Sequence, residues 1–512
     1  MLRKSFSSGF LLLSSAILTA CGGGGGNSSP PAVMQAVTNQ DPTLNDVLPF
    51  MIFEAGVFED AEIFANACEN PRSGSQYDDF QANELAEKYW LRSWSNETYL
   101  WYDEITDLDP DSAYDKFAYF DLLKTPAVTP SGAPRDQFHG TMDTGEYQQF
   151  SQSGVTFGYG AELIYARNDP PRELYIAYVE PVSPAAGSGL QRGMRIMEID
   201  GIDLVNTTSP AEIAMLNAAL SPETNGETHT LGVLASGDPD TGTYPQHEVS
   251  AASITTSPVL SYDIKNTASG NVGYLVFNNH VATAEEELAL VFEALLDGSV
   301  NDLVLDLRYN GGGLLAIASQ PVTMQAITPG PFYKQALGFS LAAGIALPSL
   351  ELNRVFIISG SGTCSASESI INSLNGIGVE VILIGDTTCG KPFGFYPQDN
   401  CGTTYFTIQF KGVNDIGFGD YEDGFTPLNS GETGIALPGC AVLDDLSKGL
   451  GDPAEARLAA ALAYRDAPGT CPAPPPASSL STITISPLDQ LSLQPVTQDT
   501  FVRNNRILGL PQ

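Results

Sequence analysis

The chain has 512 residues, 43% of them hydrophobic, and a formal net charge of −37 at pH 7. This acidity argues against nucleic-acid binding, because phosphate recognition needs a basic surface. The length allows two to four domains after the terminal segments are set aside.

Residues 1–20 predict an export signal, with a basic start and an apolar core too short to span a bilayer. The ending Leu18-Thr-Ala-Cys21 resembles a bacterial lipobox. That resemblance implies a lipid on Cys21, which would anchor the protein to a membrane, and Gly22 after it points to the outer membrane. A cleavable secretory signal with a chance cysteine is the alternative. The Gly/Ser/Pro-rich residues that follow predict a flexible tether over 21–50.

Residues 51–150 predict a helical, aromatic domain. Trp90, Trp94 and Trp101 fall near one face of a helix. Core packing is the favoured interpretation of these rings, and a sugar-binding aromatic platform is the alternative.

Residues 151–262 change to short strands, predicted over 155–163, 174–179 and 195–202. The stretch Ser183-Pro-Ala-Ala-Gly-Ser-Gly-Leu190 and the strand after it resemble a PDZ domain. That resemblance implies that a polypeptide's C-terminal end adds as a strand and that its carboxylate meets N–H groups of Phe157, Gly158, Tyr159 and Gly160. A glycine-rich turn without a ligand is the alternative. Polar residues 221–247 predict an insertion loop.

Residues 263–471 alternate strands with helices, which predicts an α/β layer with a largely parallel sheet. Helices are expected over 284–296 and 366–374. A last helix is expected to run to Tyr464, with Asp452 as its N-cap and Pro453 at its first position. The Pro/Ser-rich residues 472–512 predict a loosely ordered tail.

Ser365 and Lys391 each follow a predicted buried strand, and function in open α/β sheets usually lies at that edge. A serine hydroxyl needs an adjacent base to become a nucleophile. None of the four histidines lies in a recognisable triad context, whereas a neutral lysine can serve. For a lysine that ordinarily titrates near pH 10.4, half-neutrality at pH ~7.5 needs a shift of about three units, or roughly 4 kcal/mol. Burial can supply that shift.

Two further features surround this pair. Ser365-Ala-Ser-Glu368 also fits a capping box at a helix start, a structural alternative that is compatible with catalysis. In Asn310-Gly-Gly-Gly313, glycine backbone can approach a substrate closely, so the amides of Gly312 and Ala366 are candidate oxyanion donors. A simple tight turn is the alternative for the glycines.

Together, residues 303–313, 365–368 and 384–391 resemble the C-terminal-processing (tail-specific) protease family, a likeness that extends over about residues 80–470. The resemblance implies a multi-domain α/β protein: a helical N-terminal region, a PDZ-like domain and a crotonase-like α/β protease core. It implies Ser365 as nucleophile and Lys391 as base, without metal or cofactor. Many members carry a glutamine where this chain has Phe395, so the lysine must be oriented differently, by Gln398 or by a backbone carbonyl.

Six cysteines remain after Cys21, and an even number in an exported chain suggests disulfides, of which fifteen pairings exist. Cys364 and Cys389 flank the predicted catalytic residues, so a disulfide between them is expected to clamp the pair. A Cys389–Cys401 link would exclude it. The sequence lacks C-x-x-C and H-E-x-x-H, and residues 420–424 lack the ligand spacing of an EF-hand, so no metal site is predicted.

These patterns predict a lipid-anchored serine endopeptidase of the bacterial cell envelope, directed to the outer membrane by its anchor, that acts on polypeptides bound by their C-terminal ends. One alternative is an inert peptide-binding lipoprotein that uses only the PDZ-like domain. A carbohydrate-active surface protein is another, but no pair of essential carboxylates stands out.

Overall fold

The computed structural model describes residues 42–323, 334–473 and 506–507. The predicted signal peptide, Cys21 and most of the predicted tether and tail lie outside these ranges. The described residues from Thr43 onward form one compact unit. The tether predicted to reach residue 50 is already structured near its end, where Leu44–Val47 is helical and Val47 is buried. In the described part of the chain, helices that combine the length and the apolarity needed to cross a membrane were not found.

A six-stranded sheet forms the centre of the C-terminal region, here called the core sheet. In spatial order its strands are Val259–Thr267, Gly270–Phe277, Asp302–Asp306, Arg354–Ser359, Glu380–Gly385 and Gly439–Ala441. The first pair is antiparallel, and every other neighbouring pair is parallel. The predicted, largely parallel sheet is therefore confirmed.

Side chains alternate between the two faces of the core sheet, as the period of a strand requires. Leu305 and Ile357 pack with the helices Ala284–Asp297 and Ala366–Gly376. Val304, Phe356 and Ile358 pack on the opposite face with the helix Ala456–Asp466. Both faces are thus covered, which explains why these strands read as continuous apolar runs.

The last helix begins later than predicted. It starts at Ala456, and its N-cap is Glu455, whose carboxylate accepts from the Leu458 N–H at 3.0 Å. Asp452 and Pro453 precede it in a turn. Glu455 also pairs with buried Arg308 at 2.9 Å, so a contact distant in sequence decides where this helix starts.

The region whose sequence resembles a PDZ domain contains an antiparallel sheet with one terminal strand at Ala161–Arg167. The strands, in spatial order, are Gln246–Ser250, Thr228–Leu234, Arg195–Ile199, Glu173–Val179 and Ala161–Arg167, with Ile202–Asp203 paired to the third. Helices Pro184–Gly187 and Pro210–Leu220 pack with it. The insertion loop predicted over 221–247 is partly wrong, because Thr228–Leu234 is an inner strand of this sheet.

The N-terminal region holds three α-helices after its first turn, Glu84–Thr98, Lys116–Asp121 and Thr144–Ser153. Trp90 and Trp94 are buried and stacked, with ring centroids 5.1 Å apart, so the predicted core packing is confirmed for them. Trp101 lies beyond the end of that helix, contrary to the expected common face.

The N-terminal region is joined to the C-terminal region both covalently and through a shared sheet. Cys68 forms a disulfide with Cys401. The strand Gly140–Asp143 pairs with Thr403–Phe406, which also pairs with Gln398–Asn400. Within residues 151–262, Val155–Gly158 pairs with Ala252–Thr255.

The remaining short strands are Ala67–Cys68, Phe80–Gln81, Gly313–Leu314, Phe393–Gly394, Phe410–Lys411, Phe425–Pro427, Ile435–Leu437 and Arg506–Ile507. Three 3₁₀ turns, Leu48–Phe50, Ala61–Ile63 and Tyr102–Glu104, and the helix Leu315–Thr323 complete the described elements.

Candidate active site

The loops that carry Ser365 and Lys391 meet at the carboxyl edge of the core sheet. One follows the strand Arg354–Ser359, and the other follows its parallel neighbour Glu380–Gly385. A Cys364–Cys389 disulfide joins them, with the two Cα atoms 5.1 Å apart. The predicted pairing is confirmed, and Cys440–Cys471 is the third disulfide.

The Glu368 carboxylate holds both loops through their backbones. Its Oε2 accepts from the Ser365 N–H at 3.0 Å and from the Lys391 N–H at 2.8 Å. Because both bonds end on one oxygen, the two backbone nitrogens are no further apart than the sum of these distances. Oε1 accepts from the Gly390 N–H at 2.8 Å and the Thr388 hydroxyl at 2.5 Å. Burial raises the pKa of this carboxyl above its ordinary value, and these donors partly offset the rise.

Ser365 stands at the start of the helix Ala366–Gly376 with φ +56° and ψ −112°. An L-residue rarely adopts this region, and holding one there costs about 1–3 kcal/mol. The bond from its N–H to Glu368 is one half of the predicted capping box. The capping and catalytic interpretations of Ser365 are therefore compatible.

Lys391 is fully buried in an aromatic enclosure. Its Nζ lies 4.5 Å from the ring centroid of Phe138 and 4.6 Å from that of Phe395. Phe138 comes from the N-terminal region, and nothing in its local sequence signals this role. Gln398, suggested as the orienting residue, is exposed and donates to the Asp399 carbonyl, so that suggestion is not supported.

Asn310 joins the glycine loop to the serine turn. Its carbonyl accepts from the Ser367 hydroxyl at 2.9 Å and from the Cys364 N–H at 3.2 Å. Its side chain donates to the Phe277 carbonyl and accepts from the Gly312 N–H at 3.0 Å. The Gly312 N–H, predicted to face an oxyanion, thus bonds within its own loop in this structure. The Ala366 N–H lies in the first turn of a helix, where N–H groups lack intrahelical acceptors.

A buried ion cluster around Arg308 lies directly before this loop in the chain. Arg308, two residues before Asn310, pairs with Asp306 and Asp444 at 2.8 Å and with Glu455 at 2.9 Å. Burial alone would raise the pKa of Asp444, but the nearby guanidinium groups outweigh it and hold that pKa well below its usual range. Removing one partner of such a cluster leaves an uncompensated charge and costs about 3–5 kcal/mol.

His280 packs against the glycine loop, although no sequence motif selects it. Its Nδ1 lies 3.0 Å from Asn310 Oδ1, and its backbone N–H donates to the Gly312 carbonyl at 3.2 Å. Burial lowers the pKa of this imidazole to about 3, so it is neutral at physiological pH. A neutral, positioned ring fits a supporting role beneath the loop.

The predicted peptide-binding residues lie immediately before the strand Ala161–Arg167. Phe157 is exposed, whereas Tyr159 is buried and donates its hydroxyl to the Ala219 carbonyl at 2.8 Å. Gly158 and Gly160 adopt positive φ angles of +147° and +78°. The backbone therefore turns sharply beside the terminal strand Ala161–Arg167, while the Tyr159 ring packs in the hydrophobic core.

Comparison with known proteins gives consistent matches. Residues 271–395, which include Ser365 and Lys391, match the family model described as Peptidase family S41. Carboxyl-terminal-processing proteases of Picosynechococcus sp. and Synechocystis sp. are 28% and 25% identical over 245 and 249 residues, respectively. These alignments cover 47% and 48% of this chain. The chain spans 56% and 55% of those two relatives, about half of their length.

A crystal structure of a Bacteroides fragilis protein assigned to the S41 proteases superimposes with a TM-score of 0.55 at 24% identity. The match covers 74% of this chain and 97% of that one. This likeness confirms the mixed α/β fold.

Proposed function

We propose that this chain is a serine endopeptidase in which Ser365 is the nucleophile and Lys391 the general base. The observation that carries the proposal is the Glu368 carboxylate, which binds the backbone N–H of both residues through one oxygen. A carboxylate that only capped a helix would have no need to reach the second loop. The similarity to carboxyl-terminal-processing proteases supports the same assignment.

In the proposed reaction, the Ser365 hydroxyl oxygen attacks a peptide carbonyl carbon while Lys391 Nζ takes the hydroxyl proton. The lysine then returns this proton to the leaving amine as the peptide bond breaks, which leaves an acyl-enzyme. Water hydrolyses the ester by the same proton transfers in reverse order. In these steps the proton moves only among Ser365, Lys391, the leaving amine and water.

The surroundings of Lys391 suit both of its proposed protonation states. Full burial favours the neutral amine at rest, because a buried ammonium loses hydration worth several kcal/mol. The ring faces of Phe138 and Phe395 then stabilise the ammonium that forms when the serine proton arrives, since a desolvated cation–π contact contributes about 2 kcal/mol.

The developing oxyanion is proposed to meet the Ala366 N–H at the positive end of a helix. Gly312 supplies the second donor if its N–H turns from Asn310 Oδ1 to the substrate. Ser367 is the less suitable nucleophile of the two motif serines, because its hydroxyl already donates to the Asn310 carbonyl.

Polypeptides are the proposed substrates, bound by their C-terminal ends along the terminal strand Ala161–Arg167, with loop 157–160 beside the carboxylate. A chain adds readily to the outer edge of a terminal strand. We place the protein at the cell envelope, anchored by a lipid on Cys21. Three disulfides suit an oxidising compartment outside the cytosol.

A fluorophosphonate probe followed by peptide mapping tests the nucleophile directly. We expect label on Ser365 and none on a Ser365→Ala variant, which should also fail to cleave reduced, alkylated casein. Ser361→Ala is the matched control, because Ser361 is an exposed serine of the same loop and should leave both results unchanged. A label on any other serine would refute the assignment.

The inert peptide-binding alternative makes the opposite prediction. Wild type and Ser365→Ala would then bind a C-terminal peptide equally, and neither would cleave casein or take up the probe. At Phe395 this chain departs from the family pattern, and that departure favours this alternative. Phe395→Gln, which restores the residue that many family members carry, is therefore tested beside Ser365→Ala. Cleavage by the wild type decides against the alternative.

A further inference from the structure

Two consecutive asparagines, Asn278 and Asn279, directly follow the strand Gly270–Phe277 at the carboxyl edge of the core sheet. Each is only 1% exposed, and neither the oxygen nor the nitrogen of either side-chain amide has a hydrogen-bond partner among the residues that the structure describes. Buried polar side chains are nearly always hydrogen-bonded, because burial removes the water that would otherwise bind them. Two adjacent exceptions at this edge indicate a place where a ligand binds.

Other buried asparagines of this chain do have partners. Asn310 and Asn372 each bond through both atoms of the side-chain amide. Asn372, for example, donates to the Phe418 carbonyl at 3.0 Å and accepts from the Asn414 side chain at 3.0 Å. The two unpartnered amides are therefore a property of their position and not of buried amides in this protein generally.

The backbone on either side of the two asparagines is bonded to the glycine loop of the candidate site. The Phe277 carbonyl accepts from the Asn310 side chain at 2.8 Å, and the His280 N–H donates to the Gly312 carbonyl at 3.2 Å. Asn310 in turn accepts from the Ser367 hydroxyl at 2.9 Å through its carbonyl. The asparagine pair is thus held directly beside the loop that is proposed to receive the oxyanion.

His280, the next residue, contributes a third polar group without a partner. Its Nδ1 faces two acceptors, Asn310 Oδ1 at 3.0 Å and the Gly312 carbonyl at 3.2 Å, so this nitrogen carries the proton of the neutral ring. Nε2 is then an acceptor, and within the described part of the chain it has no partner either. Three consecutive residues therefore offer two amides, each with donors and an acceptor, and one ring acceptor.

We propose that Asn278 and Asn279 are positioning residues that hydrogen bond with the backbone of a bound polypeptide. A side-chain amide matches a peptide group, since its oxygen accepts from a backbone N–H and its NH₂ donates to a backbone C=O. Ser365 and Lys391 are fully buried, so a polypeptide that reaches them loses the hydration of its own backbone. The two amides replace hydrogen bonds that the polypeptide loses, whatever its side chains. This inference rests on the proposed endopeptidase function and adds the binding of substrate backbone to it.

The double variant Asn278→Ala/Asn279→Ala in the full chain tests the proposal. It is made in a Ser365→Ala background, and the probe is fluorescently labelled, reduced and alkylated casein, with binding followed by fluorescence anisotropy. We expect the Kd to be about tenfold or more above that of the Ser365→Ala protein, equivalent to about 1.4 kcal/mol, because substrate backbone groups are left without partners. Asn372→Ala, which alters a buried asparagine bonded within the protein, is the matched control and should leave the Kd unchanged.

Stability separates contact with substrate from a purely structural role. Asn372→Ala breaks hydrogen bonds within the protein and should clearly lower the urea midpoint. Asn278→Ala and Asn279→Ala, made singly, should each lower it by less than half as much, since neither amide has a partner to lose in the described chain. Shifts as large as that of Asn372→Ala would mean that the amides bind structural water, which overturns the proposal. If the double variant does not fold, the Kd of each single variant is expected to rise about threefold.

The binding measurement needs no catalysis, so it distinguishes this inference from the proposed function. An unchanged Kd, or no binding of casein to any of these proteins, overturns the inference even if the wild type cleaves casein. A tenfold weaker Kd supports it even if the wild type cleaves nothing, in which case only the proposed function fails. With an active Ser365, the double variant should raise KM for casein about tenfold and keep kcat within about threefold, because contacts away from the reacting bond act equally in the ground and transition states. A loss of kcat at unchanged KM would contradict this role.

Discussion

Replacing Glu368 by glutamine tests whether one carboxylate holds the two halves of the site together. One of its oxygens accepts from the N–H groups of Ser365 and Lys391, and the other from the Gly390 N–H and the Thr388 hydroxyl. Glutamine has the same shape but only one acceptor oxygen. Whichever way the amide turns, its NH₂ group must face two donors.

The magnitude follows from this count. A hydrogen bond to a charged group contributes about 1.5–3 kcal/mol, so losing two would cost about 3–6 kcal/mol. Part of that loss is offset, because the neutral glutamine avoids the cost of burying a charged carboxylate. Burial raises the pKa of Glu368 for the same reason. We expect a net loss of about 2–3 kcal/mol in the free energy of unfolding. If the reacting groups separate by about 1 Å, kcat should fall about 100-fold.

Urea unfolding and casein cleavage measure the two effects, with KM expected to stay within about threefold of wild type because the strand Ala161–Arg167, proposed to bind substrate, is untouched. Glu293→Gln is the matched control, an identical change on the exposed side of the helix Ala284–Asp297. If Glu368→Gln kept the wild-type urea midpoint and a kcat within twofold, the carboxylate would not be the clamp, and the argument for the dyad would lose its main support.

Three further changes probe other parts of the site. Replacing Cys364 and Cys389 with serine opens a 25-residue loop, which should cost about 3.5 kcal/mol in urea unfolding and also lower kcat. Phe138→Leu removes a ring face from Lys391 and should lower kcat about tenfold, since a cation–π contact contributes about 1–2 kcal/mol. His280→Asn should flatten the pH dependence of stability. Burial lowers the pKa of His280 to about 3, so its contribution to stability is fully present above pH 6.5 and is lost at about 1.4 kcal/mol per pH unit as the pH falls from 6.5 to 3.

Each change has a control that separates a local effect from a general one. Serines at Cys440 and Cys471 open a loop of 31 residues, so stability should fall by a similar amount while kcat is retained. Phe117→Leu alters an exposed ring and should leave kcat unchanged. For His280→Asn, the pH slope of the wild type is the comparison. Equal kcat losses from both disulfide pairs, or a slope unchanged by His280→Asn, would contradict the reasoning.

Local pattern was sufficient for much of this protein. Alternating strand and helix signals predicted the parallel core sheet, and the carboxyl ends of its predicted strands pointed to Ser365 and Lys391. The helices over 284–296 and 366–374 were predicted within about two residues, because period and capping are properties of a short stretch. Flanking positions alone suggested the Cys364–Cys389 disulfide, which the structure confirms.

Tertiary structure alone decided other features, including what surrounds Lys391. Phe138 contacts Lys391 from the N-terminal region. The last helix starts later than predicted, after Glu455, which pairs with Arg308. Thr228–Leu234 is a strand, although the sequence around it resembles a loop. The segment Arg506–Ile507 lies along Gly313–Leu314 in the same way, without any local signal for that partner. The physical reason is common to all four: backbone propensity acts over a few residues, whereas burial and pairing join groups that only the packed chain brings together.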